Sequence, residues 1–216
     1  GGITGSVSNV TEEYDGSSWS SGGNLATARK YLGGAGTQTA GLCMGGDTGS
    51  VSNVTEEYNG TSWSSGGNLG TAREKLAGAG TQAAGLCMGG SGTGNVTEEY
   101  NGTSWSSGGN LATARNFLAG AGTQSAGLSM GGSGPSNVTE EYNGTSWSSG
   151  GNLATARHSL AGAGTQSAGL CMGGSTGSVS NVTEEYDGSS WSSGGNLATA
   201  RTTVAGCGTQ SAGLCM

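Results

Sequence analysis

Most charged side chains of the sequence occupy two repeated positions. Five of the seven cations are arginines that follow Thr-Ala, and ten of the 14 acidic residues form five Glu-Glu pairs. If these pairs lie in strands, the alternation of side chains sends one glutamate of each pair into a packed face, where a carboxylate needs a partner. An arginine can hold a carboxylate through two hydrogen bonds. We therefore expect structural ion pairs between Arg29, Arg73, Arg115, Arg157 and Arg201 and the glutamates Glu12, Glu56, Glu98, Glu140 and Glu184.

The sequence offers no set of side chains for catalysis. Five identical carboxylate pairs indicate a requirement of the fold rather than one glycosidase site. His158 is the single histidine, which excludes a multi-histidine metal site and does not by itself support a Ser-His-Asp triad. The Gly-x-x-x-x-Gly-Lys pattern of a phosphate-binding loop does not occur. We expect a protein that is not an enzyme and has no cofactor and no metal.

Individual chemistry is concentrated in the two residues that follow each Thr-Ala-Arg. These ten residues include both lysines, the only histidine and the only two aromatic residues outside the repeated tyrosines and tryptophans. Binding residues commonly collect on loops that a rigid scaffold holds in place. We therefore predict that a ligand contacts Lys30, Tyr31, Glu74, Lys75, Asn116, Phe117, His158, Ser159, Thr202 and Thr203.

A second variable region comprises the loops at residues 47–52, 91–94, 133–136 and 175–180, which are called the variable loops below. In a four-stranded meander these loops and the variable dipeptides lie at the same end, so both are expected on one face of the molecule. The loops at the other end, Asn-Gly-Thr-Ser and Gly-Thr-Gln-Ser-Ala-Gly, barely change between copies. Neutral drift at exposed positions is the competing explanation, but drift would not spare one face.

The elements that position these residues form a repeat. The string Asn-Val-Thr-Glu-Glu-Tyr occurs five times, and its tyrosines are 44, 42, 42 and 44 residues apart. A last step of 44 residues from Tyr186 through Met216 to Tyr14 brings the total to 216, so the chain joins its own start in register. Periods of about 40–50 residues are typical of solenoids and propellers. The circular fit favours a propeller.

Each repeat contains four short strands, named here by their sequences. A Leu-Cys-Met strand (40–46) is followed by a Glu-Glu-Tyr strand (9–14 in the first copy), a Trp strand (17–20) and a Gly-Ala strand that ends near Thr37. Asp15-Gly16 or Asn59-Gly60 predicts a type I′ turn between the second and third strands. The sequence thus predicts an all-β, five-bladed β-propeller with four antiparallel strands per blade. The C-terminal strand would pair into the N-terminal blade and close the ring.

The predicted blades make up a single domain of residues 1–216. They comprise residues 212–216 with 1–39, then 40–83, 84–125, 126–167 and 168–211.

The order of these motifs resembles a kelch repeat in all five copies. The shared features are Gly-Gly after the first strand, Glu-x-Tyr, the tryptophan and Thr-Ala-Arg. The resemblance implies that the Leu-Cys-Met strand, with Ala40 and Gly41, is the innermost one. It also implies a peptide-binding role for the residues just after the arginine, around the mouth of the channel. The wording Thr-Glu-Glu-Tyr-Asn-Gly-Thr-Ser-Trp is similar to kelch-like repeats of tailed-phage and environmental viral sequences, which implies a viral protein of the virion or host cytoplasm.

Composition narrows the function further. A net charge of −7 argues against a basic nucleic-acid binder, and no run of 18 apolar residues exists that could span a membrane. No charged-then-apolar leader begins the sequence, so we expect no secretory signal. Equivalent strand positions of adjacent blades are too far apart for a disulfide. We therefore expect reduced, buried, small apolar residues at Cys43, Cys87, Cys171, Cys207 and Cys215.

Two functional hypotheses follow. The first is a monomeric, non-enzymatic binding or structural propeller of viral origin that presents its variable face to a protein, a peptide or a glycan. The second is a symmetric scaffold without a ligand, either a structural appendage domain or an engineered or excised repeat ring.

Overall fold

The computed structural model describes residues 1–3, 5–92 and 94–216, and Thr4 and Thr93 lie outside these ranges. The described chain is all-β, with 22 strands and no helix. Sixteen of these strands form four antiparallel sheets of four strands each, in a β-propeller arrangement. The all-β propeller predicted from the repeat is therefore confirmed at this level.

Each complete blade runs in chain order from a Gly-Ala strand through a Leu-Cys-Met strand and a Glu-Glu-Tyr strand to a Trp strand. The first blade has β5 (Gly33–Thr37), β6 (Ala40–Met44), β7 (Thr55–Tyr58) and β8 (Trp63–Ser65). The second has β9 (Ala77–Gly80), β10 (Gly85–Met88), β11 (Thr97–Tyr100) and β12 (Trp105–Ser107). The third has β13 (Ala119–Gly122), β14 (Gly127–Met130), β15 (Thr139–Tyr142) and β16 (Trp147–Ser149). The fourth has β17 (Ala161–Thr165), β18 (Ala168–Met172), β19 (Thr183–Tyr186) and β20 (Trp191–Ser193).

The predicted count of five blades is not what the structure shows. The remaining strands form three two-stranded sheets, in which β1 (Gly2–Ile3) pairs with β2 (Val7–Ser8), β3 (Glu12–Tyr14) with β4 (Trp19–Ser21), and β21 (Gly206–Gly208) with β22 (Gly213–Cys215). Within the described ranges, β22 and β3 are not hydrogen-bonded to each other. The predicted pairing of the C-terminal strand into the N-terminal blade is therefore not formed.

The innermost strand also differs from the predicted one. The Gly-Ala strands β5, β9, β13, β17 and β21, rather than the Leu-Cys-Met strands, line a central channel of about 450 Å³. The predicted blade boundaries at 40–83 and its equivalents consequently divide the sheets wrongly, because residues 77–80 pair with 85–88. The reason is steric. A Cβ at Gly78 would overlap the carbonyl oxygen of Gly34 in the neighbouring blade, so only glycine allows this approach at the axis.

The turn at Asn59-Gly60 is wider than the predicted type I′ turn. Tyr58 pairs with Trp63, which leaves a four-residue loop, and only Gly60 has a positive φ, of 88°. The Asn59 side-chain oxygen accepts hydrogen bonds of 2.9 Å from the amides of Thr61 and Ser62. This local bonding, which asparagine and aspartate favour, replaces the two-residue turn.

Adjacent blades are joined by the same contacts at each complete interface. The buried Tyr100 packs against Trp105 at 4.9 Å between ring centroids, and its hydroxyl donates to Glu57 of the preceding blade. The indole of Trp105 donates to the hydroxyl of Thr55 at 2.9 Å. Leucine, methionine, cysteine and alanine side chains fill the space between the sheets. The repeated aromatic residues thus serve the fold.

Candidate binding site at the channel mouth

The second residue of every variable dipeptide has a left-handed backbone. The φ angles are 54° at Tyr31, 58° at Lys75, 53° at Phe117, 55° at Ser159 and 58° at Thr203. Among the described residues, these five are the only ones other than glycine with a positive φ. An L-residue in this conformation costs roughly 1–2 kcal/mol, and a β-branched residue such as threonine is a clear outlier there.

A chain of backbone hydrogen bonds holds this conformation in place. The Lys75 amide donates to the Tyr31 carbonyl at 2.8 Å, and the Phe117 amide to the Lys75 carbonyl at 2.9 Å. The bonds from Ser159 to Phe117 and from Thr203 to Ser159 repeat this pattern at 2.8 and 2.9 Å. Because only main-chain atoms take part, the side chains can change from repeat to repeat without changing the path of the chain.

The first residue of four of the five dipeptides contacts a variable loop instead. The amides of Asp47, Ser91, Ser133 and Ser175 donate to the carbonyls of Lys30, Glu74, Asn116 and His158, respectively, at 2.7–2.8 Å. The structure therefore brings the two variable regions together. Thr93, which belongs to the variable loop at 91–94, lies outside the described residues.

The second residues surround a cavity of about 580 Å³ at the mouth of the channel. Of the ten predicted binding residues, Lys30, Tyr31, Lys75, Phe117, Ser159 and Thr203 line it, whereas Glu74, Asn116, His158 and Thr202 do not. Sequence reasoning missed the apolar floor, formed by Leu32, Leu76, Leu118, Leu160 and Val204. These five residues also line the channel, so the cavity opens onto it. Their near-invariance between repeats made them look like ordinary core residues.

One wall of the cavity is aromatic and cationic. The Tyr31 and Phe117 rings meet edge to face, with centroids 5.7 Å apart and planes at 87°. The Lys75 ammonium lies 5.4 Å from the Tyr31 centroid and 5.3 Å from that of Phe117, within the range of a cation–π interaction. It also pairs with Glu74 at 2.8 Å. The three side chains therefore fix one another.

The other side of the cavity carries small hydroxyl residues. Ser159 and Thr203 follow Phe117 in the backbone chain, and the Ser159 hydroxyl lies 3.0 Å from Nδ1 of His158. The His158 ring is 6.2 Å from that of Phe117. Lys30, at the edge of the aromatic wall, pairs with Asp47 of a variable loop at 3.2 Å. Because Ser159 and Thr203 have small side chains, the cavity is open on this side, opposite the aromatic wall of Tyr31 and Phe117.

Buried ion pairs hold the segment that precedes each dipeptide. Arg29 pairs with Glu56, Arg73 with Glu98, Arg115 with Glu140 and Arg157 with Glu184, at 2.6–2.9 Å. Burial lowers the pKa of Arg115, and the neighbouring Glu140 counters this effect. The fifth expected pair is not formed, since Glu12 is exposed and, in the described part of the chain, the Arg201 guanidinium donates only to the carbonyl of Cys215.

No protein-family model matches this chain, and the search of curated proteins finds no similar sequence. Function is therefore inferred from the geometry of the site. Across the described ranges, no group of three or more histidine, cysteine, aspartate and glutamate residues is placed to hold a metal ion. No described helix is long and apolar enough to cross a membrane.

The five cysteines are free thiols in two different environments. Burial raises the pKa of Cys43 to about 11 and those of Cys87 and Cys171 to about 12. These three match the predicted small apolar residues. Cys207 is exposed and lines the channel, so the prediction that it is buried was wrong, and Cys215 is half-buried. Both lie in β21 and β22, which lack a neighbour on one side.

Proposed function

We propose that this chain is a monomeric, non-enzymatic binding module that holds a protein, peptide or glycan ligand at its channel mouth. The observation that carries the proposal is the left-handed backbone of Tyr31, Lys75, Phe117, Ser159 and Thr203. The resemblance to kelch repeats supports it, because peptide-binding kelch domains use the residues just after the repeated arginine. We extend the proposal to a viral origin on the same resemblance.

The strained residues favour a site over a ligand-free scaffold. The chain has 48 glycines, and 24 described glycines take positive φ angles elsewhere, yet none occupies these five positions. Glycine adopts this backbone without the steric cost. Drift limited only by stability would therefore place glycine or asparagine here. Strain that recurs at a cavity is a reason to infer a function for the side chains.

We further propose that the two half-sheets, β21–β22 and β3–β4, form a fifth blade. At four interfaces a tryptophan indole donates to a threonine hydroxyl of the preceding blade, as Trp63 does to Thr11 and Trp191 to Thr139. The hydroxyl of Thr183 is buried and has no partner among the described residues. By equivalence with the other repeats, the indole that would donate to Thr183 is that of Trp19, which is 46% exposed. Both groups are satisfied if β3–β4 takes the fifth position.

Among the described residues, three further side chains lack the partners that their equivalents have in the other repeats, and they fit the same arrangement: Arg201 donates only to Cys215, Tyr14 only to Gly16, and Gln38 only to Tyr14. By equivalence, Arg201 would form an ion pair with Glu12, as Arg157 does with Glu184. The Tyr14 hydroxyl would donate to the Glu185 carboxylate, as the Tyr186 hydroxyl donates to that of Glu141 at 2.6 Å. Gln38 donates to the Tyr14 carbonyl at 2.9 Å. The other four glutamines donate both to a tyrosine carbonyl and to a glycine carbonyl, and the equivalent glycine for Gln38 is Gly213.

The fifth blade would also complete the binding site. Tyr31 and Thr203 stand on opposite sides of the seam between the half-sheets, and both line the cavity. Continuing the backbone chain would let the Tyr31 amide donate to the Thr203 carbonyl. A ring closed within one chain leaves neither β22 nor β3 as a free edge for a second copy, which supports a monomer.

Peptide and glycan arrays test the binding function. We expect the wild-type chain to bind a subset of ligands and a Lys75→Gly/Phe117→Gly variant to lose them, because glycine removes both side chains while preserving the left-handed backbone. An Asn116→Ala/Thr202→Ala variant, altered at variable positions that do not line the cavity, is the matched control. Blank wild-type arrays, or binding that the glycine variant retains, would favour the ligand-free scaffold.

A further inference from the structure

We propose that the channel-mouth cavity binds an anionic group, such as a carboxylate, carried on an apolar or aromatic body. This inference rests on the proposed binding function and names its ligand class. The polar side-chain groups that line the cavity are the ammonium groups of Lys30 and Lys75 and the hydroxyls of Tyr31, Ser159 and Thr203. In the described lining there is no carboxylate and no side-chain amide. The side chains of the cavity therefore present two cationic donors and three hydroxyls, which can donate as well as accept, and no anionic acceptor.

The two ammonium groups remain available to a ligand. Each has three N–H donors, of which the ion pairs with Asp47 and Glu74 use one apiece. The side chains of Lys30 and Lys75 are 28% and 25% exposed. Since Asp47 and Glu74 do not line the cavity, their charges orient the lysines from behind. An incoming anion meets the ammonium groups first.

The apolar part of the ligand has a surface of its own. The leucine floor and the Tyr31–Phe117 wall supply apolar contact, and the small residues Ser159 and Thr203 leave room opposite that wall. The volume of about 580 Å³ falls within the roughly 300–1,000 Å³ typical of small-ligand sites. A body that enters toward the leucines can therefore place its anionic group beside Lys75.

Two other ligand classes fit the lining less well. A cation would compete with Lys75, whose ammonium already lies against both aromatic rings and would repel it. A sugar needs an acceptor for each of its several hydroxyl hydrogens, and the side chains of the described lining offer only the hydroxyls of Tyr31, Ser159 and Thr203, with no carboxylate or amide oxygen. The donor-rich lining is thus matched best by an acceptor that carries no hydrogens.

Titration of the full chain with four small probes tests the ligand class. The probes are 3-phenylpropionate, its amide, 3-phenylpropylamine and methyl glucoside, followed by amide NMR shifts of Lys75, Phe117 and Thr203 and by calorimetry. We expect the acid to bind and the amide and amine to bind at least tenfold more weakly, because a charge-assisted hydrogen bond is lost. Lys75→Met, which keeps an apolar stem, should weaken the acid by about tenfold to a hundredfold. Asn116→Ala should leave it unchanged.

The outcomes separate the ligand class from the binding function. Amide or amine binding as tight as that of the acid, or an unchanged affinity in Lys75→Met, overturns the anionic class. Glucoside or amine shifts at the cavity without acid shifts overturn it too, while the binding function stands. If no probe shifts these amides and the arrays are blank, both proposals fail. If 3-phenylpropionate binds, acetyl-Gly-Gly-Phe is compared with its C-terminal amide and with 3-phenylpropionate, which shows whether a peptide carboxyl terminus binds better than the free acid.

Discussion

Replacing the repeated arginines one at a time measures how much each ion pair contributes to the free energy of unfolding, and it tests whether the fifth blade forms. Arg115 donates to the carbonyls of Gly131 and Val138 at 2.7 Å and to Glu140 at 2.9 Å. Arg115→Ala leaves the buried Glu140 carboxylate with only its backbone donors, of which the Ala112 amide is the nearer at 2.7 Å. Removing one partner of a buried pair costs about 3–5 kcal/mol. For a chain of this size that corresponds to a fall in Tm of roughly 10 °C.

Arg201→Ala is the matched substitution at the seam. In the arrangement of the half-sheets seen here, Arg201 is half-buried and its side chain makes one hydrogen bond, of 3.2 Å to the Cys215 carbonyl, so its loss should cost only about 1 kcal/mol. If the fifth blade forms as proposed, Arg201 holds Glu12 and its loss should cost about as much as that of Arg115. The two substitutions therefore distinguish an open seam from a closed one.

Urea unfolding followed by tryptophan fluorescence, together with calorimetric Tm values, supplies the measurement. An Arg115→Met/Glu140→Leu variant is the control, because replacing both charges with apolar residues of similar size should restore most of the stability. A loss below 1 kcal/mol in Arg115→Ala would refute the role assigned to the ion pairs. A loss of about 1 kcal/mol or less in Arg201→Ala alone would refute the fifth blade and leave the four described pairs intact.

Four further predictions concern packing, backbone strain, tyrosine titration and thiol reactivity. Gly78→Ala should lower the free energy of unfolding by about 1–3 kcal/mol, since its Cβ would overlap Gly34. In the same urea assay Gly34→Ala, with 3.9 Å to its nearest atom, should be nearly neutral if the seam is open, and should cost about as much as Gly78→Ala if the fifth blade brings Gly206 against it. Thr203→Gly should raise stability by up to about 1 kcal/mol by relieving the left-handed backbone, while Thr202→Gly should lower it; a loss in both would contradict the assigned strain. Desolvation, followed by hydrogen bonding to Glu99 and Glu141, raises the pKa of Tyr142 and Tyr186 to about 12 from an ordinary 10.0. Because the folded state favours the neutral phenol, this stability is complete below pH 10 and declines as the pH rises toward 12, which phenolate absorbance and unfolding curves will show. A thiol reagent should label Cys207 rapidly and Cys43, Cys87 and Cys171 only on unfolding, and peptide mass spectrometry after a short pulse will identify the labelled sites.

Much of the local structure could be predicted from the repeat, but the point at which one blade ends and the next begins could not. The Glu-Glu-Tyr and Trp strands were expected close to where they occur, because each carries alternating side chains and a turn residue. A circular repeat can be cut into blades at any loop, however, so the sequence alone does not tell which strand comes first. Close approach of Gly78 to Gly34 decides that question, and it is a tertiary contact.

The candidate site was only partly predictable for a similar reason. Comparison of the five copies located the variable dipeptides, but it gave no reason to separate Lys75, which lines the cavity, from Glu74, which does not. The left-handed backbone that makes this distinction has no signature in Tyr, Lys, Phe, Ser or Thr, because none of them favours it. It is imposed by hydrogen bonds between repeats, which a single repeat cannot form.

The seam and the site are coupled because one backbone chain belongs to both. Tyr31 and Thr203 end the series of hydrogen bonds between repeats. Tyr31 lies in the segment that joins β4 to β5, and Thr203 directly precedes β21, so the two residues flank the blade that we propose the half-sheets to form. A ligand that contacts both residues binds the closed ring more tightly than the open one. By mass action it must then stabilise the ring in proportion to that difference in affinity. The variable residues therefore lie where binding energy can act on the one incomplete interface of the propeller.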